Sequence, residues 1–377
     1  MDRVVAVMVD KHLGNMVLGS AVLNAMAGVM GERLRGIVID PGLLELVRRV
    51  PGLSAVPLIC YRDRSLPTVA QRVGHLWELR RTLREVRPTL ALDLEGNQAG
   101  ALVAWLSGAR LRLGPGTCRR HWLYTEQVPM VAGSHRLEGY ARVPDWAGID
   151  IPPRPPQLLH TAQDQEAWHE FAQSAALAPG EPFACLHPGG GRDEKCWPED
   201  RFVALTLQLQ RNGLRSLMVG GRPDLARAGR ILAGSAPGTL DATGRLPLGV
   251  LLAGLSRCSV FVGNDSGPAH LAAAVGAPAV VLFGPTDPGE WAPLGKSVTV
   301  VRGERQLLDG PAANWSVDAR RMESISVDAV SEAALRLARH SGHPEVASLD
   351  LETDGGCSRE PSLGGHDDGS DGRLPLP

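Results

Sequence analysis

The chain predicts an α/β protein built of two Rossmann-like, doubly wound parallel sheets. Three observations carry that reading. Short, continuously apolar segments alternate with longer amphipathic ones, as in parallel strands covered by helices on both faces. A proline-rich stretch, Ile151-Pro-Pro-Arg-Pro-Pro156, interrupts the alternation, which then restarts. The chain is also long enough, at 377 residues, for two cores.

In the first half, the expected strands are 4–9, 36–39, 56–60 and 89–94. Between and after them lie expected helices at 16–30, 43–50, 69–86 and 98–106. A short helix at 164–175 precedes the second sheet. There, strands are expected at 183–187, 214–219, 259–262 and 279–283, with helices at 198–211, 223–233, 248–255, 268–275 and 328–339. These boundaries divide the chain into a first domain at 1–155, a second at 156–340 and a tail at 341–377. The tail is rich in Gly, Ser, Asp and Pro, and its few apolar residues predict disorder.

Composition narrows the class of function. Apolar residues make up 44% and charged residues 21%, as in a globular protein. A net charge of -2 argues against a general nucleic-acid partner. The six cysteines, at 60, 118, 185, 196, 258 and 357, form no C-x-x-C pair, so reduced thiols in the cytoplasm are expected. The apolar run 4–9 is too short for a signal peptide, and no run is expected to reach the ~18 apolar residues that span a bilayer. The expected location is the cytoplasm, with room for peripheral contact with the inner membrane face.

The most informative segment is 262–288. Asp265, Ser266 and Gly267 are turn and cap types at a strand end, and Pro268 suits the first turn of the helix that follows. Ligands in such sheets bind beyond the carboxyl ends of strands, and a helix N-terminus there seats a phosphate. A second polar turn, Gly284-Pro285-Thr286, ends the next strand. A third feature, His187-Pro-Gly-Gly-Gly-Arg-Asp-Glu-Lys-Cys-Trp-Pro198, follows the first strand of the second half. Gly190 and Gly191 let backbone approach a ligand, and Lys195, one of three lysines in the chain, brings positive charge to a phosphate.

These segments resemble the bacterial ADP-heptose:lipopolysaccharide heptosyltransferases, glycosyltransferase family 9. The matching residues are Asp265, Ser266, Gly267, His270, Gly276, Pro278, Gly284, Pro285, Thr286 and Pro288, together with a basic residue, Lys195, shortly before Trp197-Pro198. The resemblance implies a GT-B fold, with two domains facing a central cleft. It also implies an inverting transfer of heptose from an ADP-sugar to the lipopolysaccharide inner core, with no cofactor and no essential metal. In such a site Lys195, Ser266, Gly267 and the backbone near Thr286 hold the donor phosphates. Asp265 binds sugar hydroxyls, and His270 either touches phosphate or packs beneath the loop. Two alternatives stay open: a natural-product sugar transferase with a different acceptor, and a non-catalytic nucleotide-sugar-binding homologue.

The first strand–helix turn, Asp10-Lys-His-Leu-Gly-Asn-Met-Val17, departs from the family. Where the family has Gly-Asp, with the Asp as general base, this chain has Gly14-Asn15. An amide accepts no proton at neutral pH. A nearby carboxylate (Asp10, Asp93 or Glu95) or His12 can replace the base, or the acceptor needs none and Asn15 orients it. Asn15 is also expected to cap the following helix. Asp93 and Glu95, at the end of the fourth strand, resemble the family's acceptor-side segment and are expected to bind acceptor, with Asn97 capping the next helix. Arg119, Arg120 and His121 form a small basic group.

Overall fold

The computed structural model describes residues 2–61, 66–152, 154–304 and 320–340. The expected tail lies outside the described residues.

The first sheet holds β1 (Val4–Met8), β2 (Leu34–Ile39), β3 (Leu58–Cys60), β4 (Leu90–Asp93), β5 (Leu111–Pro115) and β6 (Glu126–Val128), in the order β3-β2-β1-β4-β5-β6. Its helices are α1 (Leu13–Met30), α2 (Leu44–Val47), α3 (Val69–Val86), α4 (Gln98–Leu106) and α5 (Arg136–Trp146). After the proline-rich stretch comes α6 (Ala162–Ser174). The second sheet has β7 (Phe183–His187), β8 (Arg215–Met218), β9 (Leu240–Asp241), β10 (Val260–Asn264), β11 (Ala279–Phe283) and β12 (Val298–Arg302), ordered β12-β11-β10-β7-β8-β9. With it go α7 (Glu199–Arg211), α8 (Leu225–Gly234), α9 (Leu248–Leu255), α10 (Gly267–Ala274), α11 (Pro288–Trp291), α12 (Arg320–Glu323) and α13 (Val327–His340). Every strand pair is parallel. The central strands β1, β7, β10 and β11 are buried throughout, which is why their sequences are continuously apolar rather than alternating.

Several expectations are corrected. Asn15 does not cap α1: the helix begins a turn earlier, with extended His12 in the cap position, and the Asn15 side chain turns to Asp10. The helix expected at 43–50 is α-helical only over Leu44–Val47, and the one at 223–233 opens with a 3-10 turn at Arg222–Asp224. The elements β5, β6, α5, β9, α11, β12 and α12 were not expected. Gly114 and Pro115 disguise β5, and Pro144 inside α5 disguises that helix. Finally, Leu13–Arg33 is long and apolar enough on average, at mean hydropathy 1.5, to cross a membrane, although Gly, Asn and Ser break its apolar run. Met16–Leu23, Met26 and Met30 are buried in the protein, so this helix does the work of a core helix.

The carboxyl ends of both sheets converge where α1 meets α10. A Cβ added to Gly14 would sit 3.0 Å from His270 Cδ2, and one added to Gly267 would sit 2.8 Å from Leu13. Two bonds brace the approach: Leu158 N–H donates to Ala274 O (3.1 Å), and Leu159 N–H to Arg49 O (2.8 Å). The Arg49 guanidinium also pairs with Asp164 at 2.6 Å, and a second crossing comes from His135. Its Nδ1 accepts from Leu137 N–H, so Nε2 carries the proton and donates to Ala292 O at 2.9 Å. One apolar core runs continuously from Met16, Leu18 and Val22 to Leu252, Leu271 and Phe283.

This packing yields a paired prediction. Gly14→Ala pushes a methyl against buried His270 and should lower stability by ~1–3 kcal/mol. Gly28→Ala, on the same helix but with nothing within 4 Å, should raise it by ~0.5–1 kcal/mol. Denaturant midpoints of the two variants should therefore move in opposite directions.

Candidate active site

Four turns at carboxyl strand ends come together. After β10, Asp265 Oδ2 accepts from Lys195 Nζ (2.8 Å) and from Thr286 Oγ1 (2.7 Å). Three residues expected from separate motifs thus share one carboxylate oxygen. Ser266 occupies the N-cap position of α10 but makes no cap bond with its side chain. Its hydroxyl reaches Asn264 O (3.0 Å) and His187 Nδ1 (3.1 Å). The other ring nitrogen of His187 lies 3.4 Å from Asp224 Oδ2. Burial opposes ionisation of Asp224, but His187 and the Gly221 N–H outweigh it and hold the carboxyl below its usual range.

The glycine turn is fixed from beneath by Asn264, which is fully buried. Asn264 Oδ1 accepts from Trp197 N–H (3.0 Å), and Nδ2 donates to Pro188 O (2.9 Å) and Gly189 O (3.0 Å). The Trp197 indole is anchored in turn by Ile325 O at 3.0 Å. Gly190 packs against Cys196 Sγ, whereas a side chain at Gly191 would meet nothing within 4 Å. The turn therefore presents open backbone at Gly191 while its base is rigid.

His270 is buried under the loop, against Gly14, and its Nδ1 has no hydrogen-bond partner among the described residues. Burial lowers its pKa to about 4; Asp265 opposes the shift, while His135 and Lys195 add to it. The ring is neutral at pH 7.

On the first sheet, Asp10 Oδ1 accepts from His12 N–H (3.0 Å) and lies 2.7 Å from His12 Nδ1, while Oδ2 accepts from Asn15 Nδ2 at 2.5 Å. The Asp10 side chain is 8% exposed and that of His12 65% exposed. Asp10, His12 and Asn15, expected as alternatives, form one cluster.

Asp93 lies elsewhere. It is fully buried, with Oδ2 accepting from Tyr124 Oη (2.6 Å) and Oδ1 from the Glu95 and Gly96 N–H groups (3.2 Å each). Burial pushes it up to about 7, against the Tyr124 and Gly96 hydrogen bonds. Its oxygens are committed to shaping the turn rather than offered to an acceptor. Glu95 is buried in an ion pair with Arg136 (3.0 Å). Burial raises its pKa, Arg136 opposes this, and nearby Asp10 adds to it. The Arg136 guanidinium lies 5.4 Å from the rings of both Tyr140 and Trp291, joining the two sheets' loops. Asn97 does cap α4, accepting from the Ala99 and Gly100 N–H groups.

Sequence reasoning missed Arg136, His135, Tyr124, Asp224 and Asn264 as supports. Asn264 alone carried a local signal, as a polar residue closing an otherwise apolar strand.

The model of glycosyltransferase family 9 (heptosyltransferase) matches residues 76–310. The chain belongs to glycosyltransferase family 9. It is 23% identical over 288 residues to lipopolysaccharide heptosyltransferase 3 of Escherichia coli, covering 74% of this chain and 83% of that one. It is 30% identical over 168 residues to lipooligosaccharide heptosyltransferase 2 of Haemophilus influenzae, covering 43% of this chain and 47% of the relative. Among solved structures, the family 9 glycosyl transferase of Veillonella parvula superposes with TM-score 0.75 at 22% identity, covering 90% of this chain and 98% of that one. E. coli ADP-heptose lps heptosyltransferase II gives 0.72 at 21%, covering 90% and 99%. The fold is GT-B, and this family 9 member is a glycosyltransferase.

The neutral, buried His270 sets a pH dependence. A histidine whose folded pKa lies below its unfolded value of 6.5 takes up protons more readily when unfolded. Stability should therefore fall as pH drops from about 6.5 toward 4, by on the order of 2–3 kcal/mol from this residue. His270→Gln should flatten that part of the stability–pH curve measured by denaturant unfolding; an unchanged slope would assign the acid sensitivity elsewhere.

Proposed function

We propose that this glycosyltransferase moves a heptose from an ADP-sugar to a hydroxyl of the lipopolysaccharide inner core, with inversion at the anomeric carbon. The single observation that carries the reading is the meeting of Lys195 and Thr286 on Asp265, at the N-terminus of α10. The relatives' names support the sugar and the acceptor: they are lipopolysaccharide and lipooligosaccharide heptosyltransferases. One E. coli relative, heptosyltransferase WaaC, is solved both with ADP and with ADP-2-deoxy-2-fluoro heptose.

In this reading, residues 156–340 are the donor-side domain and 1–155 the acceptor side. The diphosphate lies between the glycine turn, with Gly190 closing its base and open backbone at Gly191, and the α10 N-terminus at Ser266–Gly267. Lys195 and the helix dipole meet the charge that grows on the leaving oxygens. Asp265 and Thr286 bind sugar hydroxyls. Buried His270 supports the loop from below.

The general base is His12. Asp10 holds the His12 ring through Nδ1, leaving Nε2 to take the acceptor proton, and Asn15 holds Asp10 through its other oxygen. The acceptor oxygen attacks the anomeric carbon, its proton passes to His12 Nε2, and the bond to the β-phosphate oxygen breaks. The diphosphate leaves with the electron pair. Asn15 is thus the partner that a relocated base requires, in place of the family's carboxylate.

Two predictions test these assignments. Lys195→Ala should weaken nucleotide diphosphate binding, measured by calorimetry, by ~1.5–3 kcal/mol; unchanged affinity removes Lys195 from the donor site. His12→Ala should lower turnover on a lipopolysaccharide acceptor by ~10²–10⁴-fold, and Asn15→Asp should also lower it, because two carboxylates would then face each other across 2.5 Å. A rise in turnover with Asn15→Asp would show instead a decayed form of the family's own base.

A further inference from the structure

Helix α5 starts where the strand-end loops of the two sheets meet. Its first residue, Arg136, donates from Nη2 to Glu95 Oε1 at 3.0 Å, and its guanidinium lies 5.4 Å from the Trp291 ring. Tyr140, one helical turn along α5, stands at the same distance. Glu95 belongs to the first sheet and Trp291 to the second, so one side chain joins a turn of each. On the first sheet, that turn is strapped to the end of β1. Leu94 N–H donates to Val7 O (3.0 Å), and Asn97 Nδ2 donates to Val9 O, the residue before Asp10. On the second sheet, Trp291 ends α11, whose cap Asp287 accepts from Gly289 N–H at 3.2 Å. Thr286, bonded to Asp265, comes just before that cap. A path of short, bonded turns therefore runs from Asp10 to Asp265 with Arg136 in its middle. Glu95 Oε2 and Arg136 Nε are buried and close no hydrogen bond among the described residues, so one ion-paired bond and the ring contacts carry the join.

We propose that Arg136 is a positioning residue for sugar transfer: by holding Glu95 and Trp291 together, it sets the angle at which the His12–Asp10 turn faces Asp265 and Thr286. The contact of α1 with α10 fixes the two sheets where those helices begin, and a second join away from that point fixes their tilt. A guanidinium suits the task because its plane meets a carboxylate at its edge and aromatic rings at its faces, and it stays charged. Transfer needs the acceptor oxygen in line with the bond that breaks, and a misplacement of about 1 Å can cost ~10²-fold in rate. The inference rests on the proposed placement of donor on the second sheet and acceptor on the first.

Arg136→Met and Trp291→Ala test it from either side of the join. The second keeps the Glu95 ion pair, so it carries no unpaired buried charge that could unfold the protein. Each should lower kcat for transfer from ADP-heptose to a lipopolysaccharide acceptor by ~10-fold or more. ADP affinity, measured by calorimetry, should stay unchanged, because in this reading the nucleotide's contacts lie on the second sheet. Trp291→Phe, which keeps a ring, should recover most of the rate lost in Trp291→Ala. The double variant should be no slower than the slower single one, since both changes break one join. Amide hydrogen exchange of the substrate-free enzyme should show 94–97 and 286–292 losing protection together in each single variant. Multiplying rate losses in the double variant, an unaltered kcat in Arg136→Met, or exchange that changes only in the substituted segment would overturn the proposal. A wild-type enzyme inert toward ADP-heptose would instead defeat the donor reading, and hydrogen exchange, which needs no substrate, tests the join in either case.

Discussion

The close approach of α1 to α10 is the constraint on which the rest of the site depends. Two helices, one from each sheet, meet at their N-terminal ends, and the contact exists only because Gly14 and Gly267 lack side chains. Leu13 lies on Gly267 and His270 lies on Gly14, so each helix offers a glycine to a large residue of the other. Asp10 and His12 immediately precede the α1 half of this contact, and Asp265 and Ser266 immediately precede the α10 half. Backbone geometry, more than any single polar bond, sets the spacing between the two groups.

The second sheet adds a layer of polar support. Asn264, fully buried, satisfies three backbone groups at once: Pro188 O and Gly189 O of the glycine turn and Trp197 N–H. A buried amide with those partners makes the turn rigid, because any displacement would leave several polar groups unpaired at once. On the first sheet, Asp93 does the equivalent for its own turn through Tyr124 and two backbone N–H groups. Both devices fix the backbone of a strand-end turn from below. Lys195, His12 and the open backbone at Gly191 are left as the groups that face outward.

Much of this was legible in the sequence, for a physical reason. The strands β7 and β11 and the helices α3, α4 and α9 fall on the expected residues because their patterns are locally decided: apolar or amphipathic runs with Gly, Pro or Asn beside at least one end. The motif at 262–288 was legible because its residue types and spacing are unusual for plain packing. What escaped depends on partners far away in the chain. Asn15 looks like a cap in isolation, and only the position of Asp10 redirects it. Asp93 looks like a site carboxylate, and only Tyr124, thirty-one residues later, draws it inside. Arg136 sits on a helix disguised by Pro144, and its pairing with Glu95 spans forty-one residues. The short edge strands β6 and β9 have too few residues to show any period.

The central claim is that the donor diphosphate lies between the Gly190–Lys195 turn and the start of α10, with its sugar facing the His12–Asp10 pair. A crystal structure of the full chain with an intact ADP-heptose analogue tests this most directly. The account predicts the diphosphate against Lys195 and the backbone of Ser266–Gly267, and the anomeric carbon turned toward His12. A diphosphate bound elsewhere, or an anomeric carbon turned away from the first sheet with Asp10 and His12 beyond reach, would contradict it.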